Sequence, residues 1–211
     1  MRSNLLPLDD INYSALYGKL FAALLNQFGT NYISEIEDAI QNTFLKSLKI
    51  WKHSNIPQNK DNWLFIVARN DLLNQIKRRK EYNKYNSLTV EETSCASTET
   101  DLRLQTIIFI STVENISNQA KVFFILKNIF GATVDEIRDS TLSQQEAIYK
   151  SIKRTKKNIQ NTYKDKEIDL TCIPGALKTL PLVEEIMYAV FNIGFDTFRK
   201  KMENTVNEEI C

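Results

Sequence analysis

Apolar residues recur at helical spacing along most of the chain, and the places where that spacing fails divide it. Over 13–28, Leu16, Leu20, Ala23, Leu24 and Phe28 fall on one side of a helix. Gly29-Thr30-Asn31 breaks the pattern. Ser34, with Glu37 three residues on, has the form of a capping box and predicts the start of a second helix. Ile36, Ile40, Phe44, Leu48 and Trp51 are expected to line its inner side. The polar stretch 53–61, with Pro57, reads as a loop. A third helix is expected from Asn62 to about Lys84, striped by Leu64, Val67, Ala68, Leu72 and Ile76.

The next stretch, 87–100, has no apolar period. Seven of its fourteen residues are Ser or Thr and three are Glu, a composition that predicts a mobile, mildly acidic linker. Helical spacing returns with Leu104, Ile107, Ile108 and Thr112, then over 117–129 with Ala120, Phe123, Phe124 and Leu126 inside. Gly131 is placed to end that helix. Thr133 with Glu136, and Ser143 with Glu146, have capping-box spacing and predict a short helix over 134–139 and a longer one over 144–163. Short helix, brief turn and longer basic helix are the proportions of a helix-turn-helix. After the irregular stretch 169–179, which contains Pro174-Gly175, Leu182, Ile186, Met187 and Val190 predict a last amphipathic helix. There is no internal repeat.

Composition sharpens this to an all-α fold. Five Gly and four Pro in 211 residues are too few for the tight turns of a sheet-rich protein. The net charge of +1 says nothing about nucleic acid, so only the distribution of charge is informative. Cys95, Cys172 and Cys211 stand far apart and His53 is the single histidine, which suggests neither a disulfide framework nor a zinc site. Short apolar runs and the lack of a secretory h-region predict a soluble, cytoplasmic protein that does not enter a membrane. No catalytic constellation or phosphate-cradling glycine loop can be assembled, so neither an enzyme nor a cofactor is expected.

Three features could carry function. The helix holding Ile36 and Ile40 turns Asp38, Gln41 and Leu45 to its other side at i, i+3 and i+7. Such a face suits arginines and an apolar contact on a partner helix, or is simply solvated. The helix beginning at Asn62 mixes amides and aromatics (Trp63, Phe65, Tyr82, Tyr85) with a basic end. Its 75–85 segment holds five positive charges against one negative. Cations neutralise phosphate and aromatic faces stack unpaired bases, although a solvated basic helix end would read the same way. On the 144–163 helix, Ile148, Ile152 and Ile159 are expected to face the core. Tyr149, Lys150, Lys153, Arg154, Lys156 and Lys157 then occupy the rest, as on a recognition helix or a charged surface helix.

Ile36-Glu37-Asp38-Ala39-Ile40-Gln41-Asn42-Thr43-Phe44, followed by Trp63-Leu64-Phe65-Ile66-Val67-Ala68-Arg69-Asn70 and a Lys/Arg cluster, resembles region 2 of extracytoplasmic-function (ECF) RNA polymerase sigma factors. The segment 117–159, with Ile152-Lys153-Arg154-Thr155-Lys156-Lys157, resembles their region 4. The tail from Leu182 to Phe195 is similar to the start of a helical C-terminal extension in one subgroup. The resemblance covers 12–81, 101–163 and 180–198. It implies a region 2-like core-binding and promoter-melting domain (1–86), a flexible linker (87–100), a region 4-like helix-turn-helix domain (101–166) and a C-terminal extension (167–211). The extension is short for that subgroup, whether naturally or by truncation.

The resemblance also implies roles and partners. Asp38, Gln41, Phe44 and Leu45 would dock on core RNA polymerase. The loop with His53, together with Asn62 and Trp63, would capture a flipped base of promoter DNA. Arg69, Asn70, Asn74, Lys77 and Arg78 would face the melted element. Tyr149, Lys150, Lys153 and Arg154, with Lys156 and Lys157 beside them, would read the distal element in the major groove. An anti-sigma factor, or the C-terminal extension itself, is a further partner that the resemblance admits. Three departures stand out: Asn74 where the family commonly has Asp, Ser151 where an Arg is frequent, and Arg138 where a small residue is usual. The competing expectation is a helix-turn-helix transcription regulator that acts without core polymerase, for which a region 2-like segment would have no use.

Overall fold

The computed structural model describes residues 12–51, 56–82, 101–164, 166, 168–170, 173 and 175–194. Among them every regular element is helical and there is no strand. The chain divides into two compact units, Met1–Arg103 with Tyr163–Ile168 and Leu104–Thr162 with Asp169–Cys211. The expected 87–100 linker lies outside the described residues.

The first unit contains α1 (Tyr13–Phe28), α2 (Ile33–Ile50) and α3 (Lys60–Tyr82). The Asn12 side chain accepts from the Ala15 amide at 3.0 Å and opens α1. Gly29 ends it at φ 78°, ψ 176°, a backbone region that is essentially glycine's alone. This turn leads into a 3-10 turn, Thr30–Tyr32, that runs directly into α2. Hence α2 starts at Ile33 on the cap residue Tyr32, and Ser34 stands inside the first turn rather than at the expected N-cap.

The inner side of α2 also differs from expectation. Ile36, Ala39, Ile40, Thr43, Ser47 and Trp51 are buried, whereas Leu48 is exposed and Phe44 half-buried. Repeated steps of four residues advance about 40° each around a helix, so 36, 40, 44 and 48 walk off the buried side. Small Ala39, Thr43 and Ser47 replace bulk at the core. The two hydroxyls are satisfied on their own helix, Thr43 donating to the Ala39 carbonyl (2.7 Å) and Ser47 to that of Phe44 (2.8 Å). On α3, Leu64, Phe65, Ala68, Leu72 and Ile76 are buried and Val67 is half-buried. Asn59 accepts from the Asn62 amide at 2.9 Å, which starts α3 at Lys60 instead of Asn62.

The second unit is built around α5 (Asn118–Asn128), in which Val122, Phe123, Phe124, Ile125 and Leu126 are all buried. Five consecutive buried residues span more than one turn, so this stretch of α5 is enclosed on every side. Ser117 caps it by accepting from the Ala120 amide. At its end Gly131 takes φ 65° and the Ala132 amide reaches the Leu126 carbonyl at 3.0 Å. In α4 (Arg103–Thr112) the buried residues are Thr106, Ile107, Phe109, Ile110 and Ser111. Leu104, expected inside, is 54 % exposed, and Ile108 and Thr112 are half-buried. The bulk of Phe109 and Ile110, which the expected stripe left out, sets the inner side.

Thr133 and Glu136 make the full capping box that opens α6 (Val134–Thr141). A turn of Leu142, Ser143 and Gln144 leads to α7 (Gln145–Thr162). Because α7 begins at Gln145, Gln144 is the cap residue and Ser143, expected in that place, stands one position before it. Its hydroxyl donates to the Thr141 carbonyl at 3.3 Å. Ile148, Thr155 and Ile159 form the buried side of α7, and Ile152 is only half-buried. Further on, Leu170 is buried and a 3-10 turn, Ala176–Thr179, precedes helical residues 180–194. There Leu182 and Ile186 are buried, but Met187, expected beside them, is 49 % exposed.

Candidate partner and nucleic-acid interfaces

On the outer side of α2, Asp38 and Gln41 are exposed and Leu45 is 56 % exposed, as the spacing requires. Leu48 continues the same stripe at i+3 from Leu45. The apolar spacing predicts it in the core, and it is 39 % exposed. Phe44 does not belong to this face. Its ring meets Tyr13 edge-on at 5.1 Å and Tyr17 at 6.3 Å, so it packs α2 against α1. Burial pushes the Tyr17 hydroxyl well above its ordinary range, helped by the charges of Glu37 and Asp38.

Beside this face lies a cleft of about 390 Å³ lined by Asp38, Gln41, Asn42, Asp71, Gln75 and Arg78. Its floor is a network centred on Asp71. That carboxylate accepts from Asn42 Nδ2 at 3.0 Å, Gln75 Nε2 at 3.0 Å and Lys46 Nζ at 3.3 Å, joining α2 to α3. Burial acts to raise the Asp71 carboxyl, but these three hydrogen bonds and the Lys46 charge outweigh it and hold the group below the usual carboxylate range. Arg79 and Glu35 pair across the same two helices. Helical spacing singles out none of Asn42, Lys46, Asp71 and Gln75 as site residues. The one local signal is Asp71 set four residues before Gln75, an acid and an amide that meet on one side of a helix.

Along α3, Asn62, Ile66, Asn70, Asn74 and Lys77 are exposed at i, i+4, i+8, i+12 and i+15, so amides, one isoleucine and a cation share a side. Arg69 is half-buried. Arg78 is exposed but lines the cleft beside Asp38, which turns it toward the α2 face. Phe65, counted among the base-stacking aromatics, is core at 2 % exposure. Trp63 is half-buried and tilted against Trp51 with ring centroids 5.2 Å apart, so much of its stacking surface is already engaged. His53 and Tyr85 lie outside the described residues.

In the second unit, α7 turns Glu146, Tyr149, Lys150, Lys153, Arg154 and Lys157 to solvent, while Lys156 is half-buried at the edge. Lys150 Nζ pairs with Glu146 at 2.6 Å. Glu146, expected only as a capping residue, thus lies on the cationic side. Among the described residues no group of three or more His, Cys, Asp or Glu side chains could hold a metal ion, and no helix is long and apolar enough to cross a membrane.

No family model, curated protein or solved structure matches this chain.

Proposed function

We propose that this chain is a sigma factor of the ECF type, binding core RNA polymerase through the outer face of α2 and directing it to promoter DNA. The observation that carries this reading is the exposed stripe Asp38–Gln41–Leu45–Leu48 beside a polar cleft. A carboxylate, an amide and two leucines lie in one row where neither the core nor the capping of the helix needs them. Such a row suits a partner helix that brings guanidinium groups and an apolar contact.

Two further surfaces fit the same role. The α3 side with Asn62, Asn70, Asn74 and Lys77 offers amides and charge to unpaired bases. The cationic side of α7, second helix of a helix-turn-helix, suits the major groove of a duplex. In this reading no enzyme activity or cofactor is required, and the place of action is the cytoplasm.

The test is a pull-down of the full chain with core RNA polymerase, followed by run-off transcription on genomic promoters. Co-purification with core and promoter-dependent transcripts are expected. DNA binding without any core association would instead identify a helix-turn-helix regulator acting alone.

A further inference from the structure

The exposed side of α7 contains one residue that does not suit a polyanion. Lys150, Lys153, Arg154 and Lys157 are cations, yet Glu146 stands among them in the first turn. The helix dipole favours an acid there modestly, but a carboxylate near phosphates is repelled. The ion pair it forms does not account for it either. The side chains of Glu146 and Lys150 are 79 % and 71 % exposed, and an ion pair so open to water adds little to stability. What the pair does fix is a hydrogen-bond acceptor and a donor side by side, 2.6 Å apart, one turn from the helix start.

In a helix-turn-helix it is the first turns of the second helix that meet base edges. The major-groove edge of a C·G pair shows the cytosine N4 donor beside the guanine O6 and N7 acceptors. An adjacent carboxylate and ammonium are the complement of that edge. A thymine would press its C5-methyl group against the two charges. We propose that Glu146 and Lys150 act as one unit that selects a C·G pair, Glu146 accepting from cytosine N4 while Lys150 donates to guanine O6 and N7. This rests on the reading of α7 as a duplex-binding helix.

The test presents the full chain, with core RNA polymerase, to a pool of duplexes randomised base pair by base pair, and sequences the bound fraction. The unaltered chain should enrich C·G at one position. Glu146→Ala should lower that preference about ten-fold at this position alone. Its binding to duplexes without C·G at that position should rise, because a repulsive charge is gone. Glu146→Gln should move the preference toward adenine, which an amide can grip through N6 and N7. Lys150→Met should weaken the same base pair. An unchanged preference in both Glu146 variants overturns the proposal and leaves duplex binding by α7 standing. If Lys153→Ala with Arg154→Ala leaves duplex binding untouched, the reading of α7 fails and the proposal falls with it.

Discussion

Helices α2 and α7 are each 18 residues long, and each buries one isoleucine stripe that includes at least one hydroxyl residue. Their outer sides have opposite chemistry. α2 shows Asp38, Gln41, Leu45 and Leu48, whereas α7 shows Lys150, Lys153, Arg154 and Lys157 around a single carboxylate. Two helices of one length and one kind of core contact thus offer surfaces for different partners. Binding through the α7 side should weaken steeply with salt, because it displaces counterions from a polyanion. Binding through the α2 side should be less sensitive, since apolar contact and desolvated hydrogen bonds contribute much of it.

The largest expected effects come from the shared inner sides. Ile36→Ala in α2 and Ile148→Ala in α7 should each cost about 2–5 kcal/mol in thermal or urea unfolding. Leu48→Ala, on the outer side, should stay within about 0.5 kcal/mol. A Leu48 cost comparable to that of Ile36 would return Leu48 to the core and break the division of faces.

Asp71 comes next. Asp71→Ala would leave Asn42, Lys46 and Gln75 without their common acceptor, and a loss of about 1–3 kcal/mol is expected. The pH dependence has a definite sign. Because the folded carboxyl titrates below its ordinary value of about 3.9, its contribution is present at neutral pH and is lost as pH falls through the depressed value. Urea midpoints followed from pH 7 downward should therefore fall less steeply for Asp71→Asn than for the unaltered chain. Parallel curves would remove the electrostatic account of the α2–α3 junction.

A smaller effect is expected at the turn into α7. Leu142 holds φ 53°, ψ 30° and is 93 % exposed, so it carries left-handed strain without packing in return. Leu142→Asn should raise stability by up to about 1 kcal/mol in the same unfolding assay, since Asn visits this region more readily. Destabilisation would mean that the leucine contributes a contact that outweighs the strain.

How far the sequence foretold these features depends on how local their causes are. The cap at Thr133 and the turn at Gly131 were legible, because each involves side chains or backbone within six residues. The outer residues Asp38, Gln41 and Leu45 were legible from helical spacing. The inner side of α2 was legible at Ile36, Ile40 and Trp51 only, because close helix packing also selects Ala39, Thr43 and Ser47, which a search for large apolar residues passes over. The Asp71 network was hidden for a different reason. Asn42 and Asp71 are 29 positions apart, and nothing in either helix alone says they meet. Phe65 shows the converse: an aromatic that helical spacing leaves available for bases belongs to the core at 2 % exposure, while Trp63 packs one side on Trp51 and stays half-exposed.

The central claim is that Asp38 and Gln41 serve a partner and not the fold. It is tested most directly by titrating core RNA polymerase with the full chain carrying Asp38→Ala and Gln41→Ala together, with thermal unfolding of the same variant alongside. The account predicts unfolding within about 0.5 kcal/mol of the unaltered chain and a clear loss of core affinity. Undiminished core affinity, or a loss of affinity matched by a loss of stability, would contradict it.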